Sequence, residues 1–260
     1  MCILIVVMQN RLVSIITPVY NGARFMRYTI DSVLAQTYQE WEMYIVDDGS
    51  KDNSAEIASE YVAKDARIHL LQQTNAGSAA ARNNGIRRAQ GRYIVLLDSD
   101  DVWEPNFLEN QLRFMQETPG ALLICSAHKR IDENGNEFKV PFFPPKVIRR
   151  KDLLKTNSIS CLTGVYDSSA FGKFYLREDF RSLRDDHVYW LDILKKVEVA
   201  YGNQQVLASY RMSQFAVTHN KLKMIRPQFK VYREYEHMGW LKASYYLFCW
   251  AFNGIKKHHS

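Results

Sequence analysis

The sequence has few cysteines and no pattern that would tie them together. Four cysteines occur in 260 residues, at positions 2, 125, 161 and 249, and no two of them share a CxxC spacing. This spacing argues against a disulfide framework and against a zinc site. Cys125 lies in the apolar run ALLICSA and is predicted to be a small core residue. A reducing cytoplasm fits such widely spaced thiols.

Long hydrophobic runs are also missing, because no stretch reaches the roughly 20 residues of a transmembrane helix. The apolar run Cys2–Met8 lacks a basic flank and a small-residue cleavage site, which argues against a signal peptide. We expect a strand extension there, or a true start at Met8. The C-terminal stretch GWLKASYYLFCWAFNGIKKHH interleaves aromatic and apolar residues and then turns basic. It predicts an interfacial helix on an anionic membrane face, with a core-packing helix as the alternative.

Two nucleotide-binding loops are absent. The sequence contains neither G-x-x-x-x-G-K-[ST] nor G-x-G-x-x-G, so the P-loop and the Rossmann dinucleotide site are excluded. The formal net charge of +6 and a pI of about 9.0 suit nucleic acid, a membrane surface or a phosphorylated small molecule. Carboxylates cluster at predicted strand ends and would repel a phosphate backbone, so we do not expect a nucleic-acid partner.

Strand-like and helix-like segments alternate over the first hundred residues. The order β-α-β-α-β-α-β predicts an α/β fold with a parallel sheet covered by helices. After Asp101 the pattern loosens into a helix, a hairpin through the turn ENGN, further helices and a last strand. We divide the chain into residues 10–105, residues 106–220 and a helical, basic and aromatic extension over residues 221–260.

Three predicted strands end in polar or acidic loops, namely Pro18–Gly22, Asp47–Ser50 and Asp98–Asp101. Ligands of open α/β sheets bind beyond the carboxyl ends of the strands, so these loops should converge on one site. Asp98 and Asp100 have the spacing that directs two carboxylates at one point, which suits Mg²⁺ or Mn²⁺ bridging a diphosphate. The alternative is an acidic turn that caps the next helix.

Further side chains are candidates for binding or catalysis. One carboxylate of the pair Asp47 and Asp48 could accept a hydrogen bond from a nucleobase or ribose, and Arg82 could pair with phosphate. One acid of the pair Asp185 and Asp186 could serve as a general base, and Arg211 could bind phosphate oxygens. Each also has a structural interpretation: a local cap, helix-dipole stabilisation or a surface ion pair. His128, His187 and His219 show no metal-ligand spacing and are interpreted as structural.

Six stretches in order carry a resemblance to a known family: SIITPVYNG, VDDGS, AGSAAARNNGI, LLDSDD, RDDHVYW and YRMSQFAVTHNK. Together they resemble glycosyltransferase family 2, nucleotide-sugar transferases with a GT-A fold. The later half is similar to bacterial enzymes that build teichuronic acid, capsule and O-antigen polysaccharides. The resemblance implies a GT-A fold with a mostly parallel central sheet flanked by helices, and a C-terminal helical extension.

The resemblance also implies residue roles. Pro18 and Tyr20 would flank the nucleotide base, with Asp48 on the uracil edge. Arg82 would lie near the diphosphate, Asp98 and Asp100 would hold Mn²⁺ or Mg²⁺, Asp186 would be the catalytic base and Arg211 would steady the diphosphate. The histidine that usually follows this arginine by two residues is Ser213 here, so the resemblance does not carry over a His-mediated metal or phosphate contact at this position.

The implied reaction is a single inverting displacement from a nucleotide-sugar, expected to be a UDP-sugar, onto a hydroxyl of an undecaprenyl-diphosphate-linked or oligosaccharide acceptor. The enzyme would work at the cytoplasmic face of the cell membrane. Two alternatives remain open. One is a metal-dependent nucleotidyltransferase acting on sugar phosphates, although such enzymes usually carry a Gly-rich basic loop where this chain reads TPVYNG. The other is a non-catalytic nucleotide-binding scaffold.

Overall fold

The computed structural model describes residues 11–180, 184–212 and 221–259 of the chain. The predictions for Cys2–Met8, Ser213 and His219 fall outside these residues. The strands are Val13–Val19 (β1), Trp41–Asp47 (β2), Ile68–Gln72 (β3), Tyr93–Leu96 (β4), Val102–Trp103 (β5), Leu123–Ile131 (β6), Glu137–Phe142 (β7), Val147–Arg149 (β8), Val165–Asp167 (β9) and Val199–Arg211 (β10).

Helices cover the sheet and form the C-terminal extension. They are Met26–Leu34 (α1), Ser54–Val62 (α2), Ser78–Arg88 (α3), Phe107–Glu117 (α4), Arg150–Leu153 (α5), Asp185–Val197 (α6), Lys221–Lys230 (α7) and Trp240–His259 (α8). One π-helical turn, Val231–Tyr235, continues α7 towards α8.

The ten strands form one mixed sheet in the order β3-β2-β1-β4-β9-β6-β10-β5, with β7 added to β6 and β8 to β10. The first four strands pair in parallel, as their alternation with helices predicts. Strand β9 pairs antiparallel with both β4 and β6 and so joins the two halves of the sheet. The α/β fold class is therefore confirmed, and parallel pairing is concentrated in the N-terminal half of the chain.

Two apolar cores lie on opposite faces of the sheet. One packs α1, α2 and α4 against β1, β2 and β4, and the other packs α3, α6 and the C-terminal helices against the reverse face. Alternate residues of β1 divide between them, since Ile15 belongs to the first core and Ile16 to the second. Cys125 is fully buried in the second core, as predicted.

Helix α3 approaches the sheet closely. A Cβ atom at Gly85 would stand 2.6 Å from Ile16 Cγ2, so only glycine fits at this position without a shift of the strand's side chain. The small residues of this segment thus bring the N-terminus of α3 to the carboxyl edge of the sheet, where the acidic loops lie.

Candidate active site

The central feature of the site is a buried arginine that bridges two carboxylates from distant parts of the chain. Arg82, on α3, donates from Nη2 to Asp98 Oδ1 at 2.5 Å and from Nη1 to Asp185 Oδ2 at 3.1 Å. Asp98 follows β4 and Asp185 begins α6, so the guanidinium ties three elements together. The bridge partly neutralises the acidic cluster LLDSDD. Burial nevertheless raises the pKa of Asp185, against the lowering effect of Arg82.

The two remaining carboxylates of LLDSDD have different surroundings. Burial and the neighbouring Asp98 raise the pKa of Asp100 to about 6. Asp101 is almost completely buried, and its Oδ1 accepts the backbone N–H of Arg211 at 2.8 Å. Its carbonyl accepts the Thr29 hydroxyl, so Asp101 fastens α1 and β10 to this loop and has a structural role.

Arg211 lies under the acidic loop. Its Nε donates to the carbonyl of Asp100 at 2.9 Å, and its Nη1 donates to the carbonyls of Asp132 and Glu133. The guanidinium also stacks over Phe25, 4.7 Å from the ring centroid. Arg211 therefore holds the loop that carries Asp100, which is a different contact from the diphosphate contact expected from the sequence.

Asp48 organises the loop before α3. Its Oδ1 accepts from Gln73 Nε2 and from the backbone N–H of Ala76, and its Oδ2 accepts from the backbone N–H of Gly77, each at 2.8 Å. A carboxylate can accept about four hydrogen bonds, so these contacts leave capacity for one further donor. The side chain is nearly buried at the end of β2.

The loop after β1 lies beside the loops that follow β2 and β4. Pro18 is half-buried at the end of β1 and Tyr20 is exposed, and the carbonyl of Val19 between them accepts the backbone N–H of Asp48 at 2.8 Å. A Cβ atom built at Gly22 would lie 3.1 Å from Ser99 Oγ. The three loops therefore meet at one edge of the sheet, as the strand order predicted.

Asp186 is held beside the bridge but makes other contacts. It is half-buried, and its Oδ2 accepts from Asn157 Nδ2 at 2.9 Å. Cys161 lies close enough to Arg82 and to Asp186 for their charges to act on its thiol, and burial raises the pKa of this thiol well above its ordinary value. Sequence reasoning missed Asn157 and Cys161, because residues of these types in TNSISC carry no signal of a site.

Asp98 and Asp100 offer the donors that a hard divalent cation prefers. They present carboxylate oxygens from one loop, and burial together with the neighbouring Asp98 raises the pKa of Asp100. Among the described residues, no group of three or more His, Cys, Asp and Glu side chains is arranged to hold a metal ion. Two carboxylates nevertheless fit Mg²⁺, which usually takes one or two of them together with phosphate oxygens and water.

The acidic loops, the bridging arginine and a separate acid at the start of α6 lie together at the carboxyl edge of the α/β sheet, which is where ligands of such sheets bind. Residues 14–184 match the family described as Glycosyl transferase family 2, and the chain belongs to this family. It is 38% identical over 247 residues to a protein of Bacillus subtilis named "Putative teichuronic acid biosynthesis glycosyltransferase TuaG", covering 95% of this chain and 97% of that protein.

A second relative is an Escherichia coli protein named "UDP-Glc:alpha-D-GlcNAc-diphosphoundecaprenol beta-1,3-glucosyltransferase WfgD". It is 37% identical over 254 residues and covers 96% of each chain. Solved structures show the same fold. The UDP complex of Staphylococcus aureus TarS 1–349 superposes with a TM-score of 0.63 at 20% identity, over 84% of this chain and 64% of that one. The mannosyltransferase PcManGT of Pyrobaculum calidifontis, bound to GDP-Man and Mn²⁺, gives 0.66 at 17% identity, over 92% of this chain and 70% of that one.

Proposed function

We propose that this protein transfers a sugar from a UDP-sugar to a hydroxyl of a lipid-linked acceptor, with inversion at the anomeric carbon. The observation that carries the proposal is the cluster in which Arg82 holds Asp98 and Asp185 together, directly beside Asp186. This arrangement supports the proposal because two candidate metal ligands, a candidate phosphate-binding cation and a candidate base lie near one edge of the sheet.

The nucleotide would occupy the edge of the sheet formed by the loops after β1, β2 and β4. Pro18 and Tyr20 would flank the base, and the remaining lone pair of Asp48 would accept its N–H. Arg82 would exchange part of its contact with Asp98 for diphosphate oxygens. Arg211 would act by holding the loop of Asp100. The names of WfgD and of the TarS complex support UDP as the nucleotide.

Mn²⁺ or Mg²⁺, held by Asp98 and Asp100, would supply positive charge against the negative charge that develops on the leaving diphosphate. Asp186 would take the proton from the acceptor hydroxyl as this oxygen attacks the anomeric carbon from the face opposite the diphosphate. Asn157, hydrogen-bonded to Oδ2, would orient this carboxylate and leave Oδ1 for the acceptor. One displacement inverts the configuration without a covalent sugar–enzyme intermediate.

The acceptor would be an undecaprenyl-diphosphate-linked glycan, as the name of WfgD supports. Such an acceptor would place the enzyme at the cytoplasmic face of the cell membrane, in peripheral contact with anionic lipid. No helix in the described part of the chain is long and apolar enough to cross a bilayer.

The test is a transfer assay with a panel of UDP-sugars and a synthetic lipid-diphosphate-linked GlcNAc acceptor, in Mn²⁺. We expect mass spectrometry to show the acceptor gaining one hexose-type unit, and NMR to show a β-linked product from an α-linked donor. Release of pyrophosphate from a nucleoside triphosphate and a sugar phosphate would instead identify a nucleotidyltransferase. Binding of UDP without transfer to any acceptor tested would favour the non-catalytic alternative.

A further inference from the structure

Helix α8 exposes a continuous apolar face. Leu241, Tyr245, Phe248 and Phe252 recur at intervals of four, three and four residues and therefore lie on one side of the helix. Their exposed fractions are 91, 55, 71 and 51%. A helix that only packed against the core would place such residues inward, so this face is unusual for a surface in contact with water alone.

The opposite face of α8 already has its partners. Ala243 is fully buried, and Tyr246 and Leu247 pack against the core on the reverse side of the sheet. Asn253 Nδ2 donates to the carbonyl of Lys155 at 3.2 Å. The helix is thus fixed on the protein with its second apolar face directed outward, which combines the two alternatives considered for this segment.

A basic cleft of about 670 Å³ opens where α8 begins. Arg226, Lys230 and Arg233 line it together with the aromatic rings of Phe229 and Trp240. The Arg233 guanidinium lies 4.7 Å from the centroid of the Trp240 ring, and the rings of Phe229 and Trp240 are 5.5 Å apart. This packing fixes Trp240 beside Leu241, so the cleft adjoins the apolar face.

The cleft also contains two acids, Asp179 and Glu234. Glu234 lies 3.8 Å from Lys230 and offsets its charge. The other charged residues of the described lining are Arg226, Arg233 and Asp179, so this lining carries a net positive charge. An anion entering it would meet two guanidinium groups, and guanidinium is the side chain best suited to phosphate oxygens.

We infer that this cleft binds the phosphate of an anionic phospholipid head group while the outward face of α8 lies among the acyl chains beneath it. The inference rests on the membrane contact proposed above and assigns that contact to a site. A binding site for a soluble phosphate would need only the cationic side chains of the cleft. The adjoining row of four large apolar side chains, with an aromatic residue at head-group level, matches a lipid surface.

The test compares binding of the full-length protein to vesicles of phosphatidylcholine alone and to vesicles containing about a third phosphatidylglycerol, at an ionic strength of about 0.15 M. The key variant is Arg226→Gln with Arg233→Gln. Its matched control is Arg87→Gln with Arg88→Gln, which removes the same charge from exposed positions at the end of α3. Arg226→Gln alone is included because Arg233 also packs on Trp240, and melting temperatures identify any loss of folding.

We expect the wild type to prefer the anionic vesicles. Arg226→Gln with Arg233→Gln should weaken binding to the anionic vesicles by roughly tenfold or more, since each cation near an anionic surface contributes about 1 kcal/mol. Arg226→Gln alone should weaken this binding by severalfold. Arg87→Gln with Arg88→Gln should change binding to the anionic vesicles much less. Phe248→Ser with Phe252→Ser should weaken binding to both kinds of vesicle, because apolar insertion does not depend on lipid charge.

If the two double variants, Arg226→Gln with Arg233→Gln and Arg87→Gln with Arg88→Gln, lost equal vesicle affinity, the assignment to the cleft would be overturned in favour of diffuse charge attraction. Binding of inorganic phosphate without binding of vesicles would overturn it in favour of a soluble anion. UDP binding is measured on the same preparations. If UDP binds but vesicles do not, the inference about the cleft is refuted and the proposed transferase function is unaffected. If vesicles bind but UDP does not, the proposed transferase function is refuted and the membrane contact is supported.

Discussion

Arg82 is the residue on which the electrostatics of the site depend. Its side chain is 8% exposed and those of Asp98 and Asp185 are 32% and 5% exposed, so both carboxylates rely on it for compensation. A buried charge that loses its partner is strongly destabilising, whereas removing both partners costs much less. We propose that the same guanidinium stabilises the fold in the free enzyme and binds the diphosphate in the complex.

We predict that Arg82→Gln lowers the free energy of unfolding by about 3 kcal/mol. Adding Asp185→Asn should restore part of this loss, because the second change removes a buried carboxylate that no longer has a cation. Urea unfolding of the wild type, both single variants and the double variant measures the coupling. Strictly additive losses would show that Arg82 and Asp185 are not energetically coupled.

Asp186 is the residue on which the proposed chemistry depends. Asp186→Asn should reduce kcat by about 10²- to 10⁴-fold, since the amide cannot accept the acceptor proton, while leaving the affinity for UDP nearly unchanged. Asp192→Asn on the same helix is the matched control and should retain activity, because Asp192 pairs with Lys195 away from the bridge. Turnover of Asp186→Asn near the wild-type rate would refute the assignment of the base.

At the scale of elements, the close contact of α3 with β1 positions the bridge. Gly85→Ala should lower the free energy of unfolding by about 1–3 kcal/mol, since the new methyl group would overlap Ile16. Gly254→Ala in α8 is the matched control. Nothing lies within 4 Å of the added Cβ there, so better helix propensity should stabilise the protein by up to about 1 kcal/mol. Chemical denaturation measures both, and equal effects would contradict the close contact.

The ion pair between Arg92 and Asp167, where β4 meets β9, makes the stability of the fold depend on pH. Burial raises the pKa of Asp167, but hydrogen bonds from Arg92 and Ser169 outweigh it and hold the pKa below its ordinary value. The stabilisation is therefore complete above the unfolded-state pKa of about 4 and is lost as the pH falls through the lower folded-state pKa.

Asp167→Asn should accordingly lower the free energy of unfolding by about 1–3 kcal/mol at pH 7. This difference between the variant and the wild type should shrink as the pH falls below about 4, because the wild-type carboxylate then becomes protonated. Denaturant titrations of both proteins at several pH values measure it. A difference that stays constant over that range would show that the contact is not electrostatic.

The regular elements of the first half could be predicted from the sequence, because their strands alternate with helices and end in polar loops. The short strands β5, β8 and β9 could not, since two or three residues show no periodicity. The contact between Arg82 and Asp185 joins residues 103 positions apart, and no local pattern indicates it. The sequence could single out Asp48 and Asp98 as candidates because each follows a predicted strand, whereas the second apolar face of α8 was visible only in the packed structure.

At the scale of the whole molecule, one sheet runs through both halves of the chain and the C-terminal helices lie against one of its faces. We propose that residues 10–105 and 106–220 form a single folding unit, supported by the pairing of β9 with β4 and of β10 with β5. Residues 221–260 would add the membrane contact. The sheet thus brings the loops after β1, β2 and β4 and the start of α6 to the same edge.

The most direct test of the central claim is isothermal titration of UDP, GDP, dTDP and ADP into the purified protein, with Mn²⁺ and then with EDTA. We predict that UDP binds in Mn²⁺, that EDTA weakens binding at least tenfold, and that Asp100→Ala removes this metal dependence. No nucleotide binding in Mn²⁺, or equal UDP affinity in Mn²⁺ and EDTA, would contradict the proposal that Asp98 and Asp100 hold a metal–diphosphate complex.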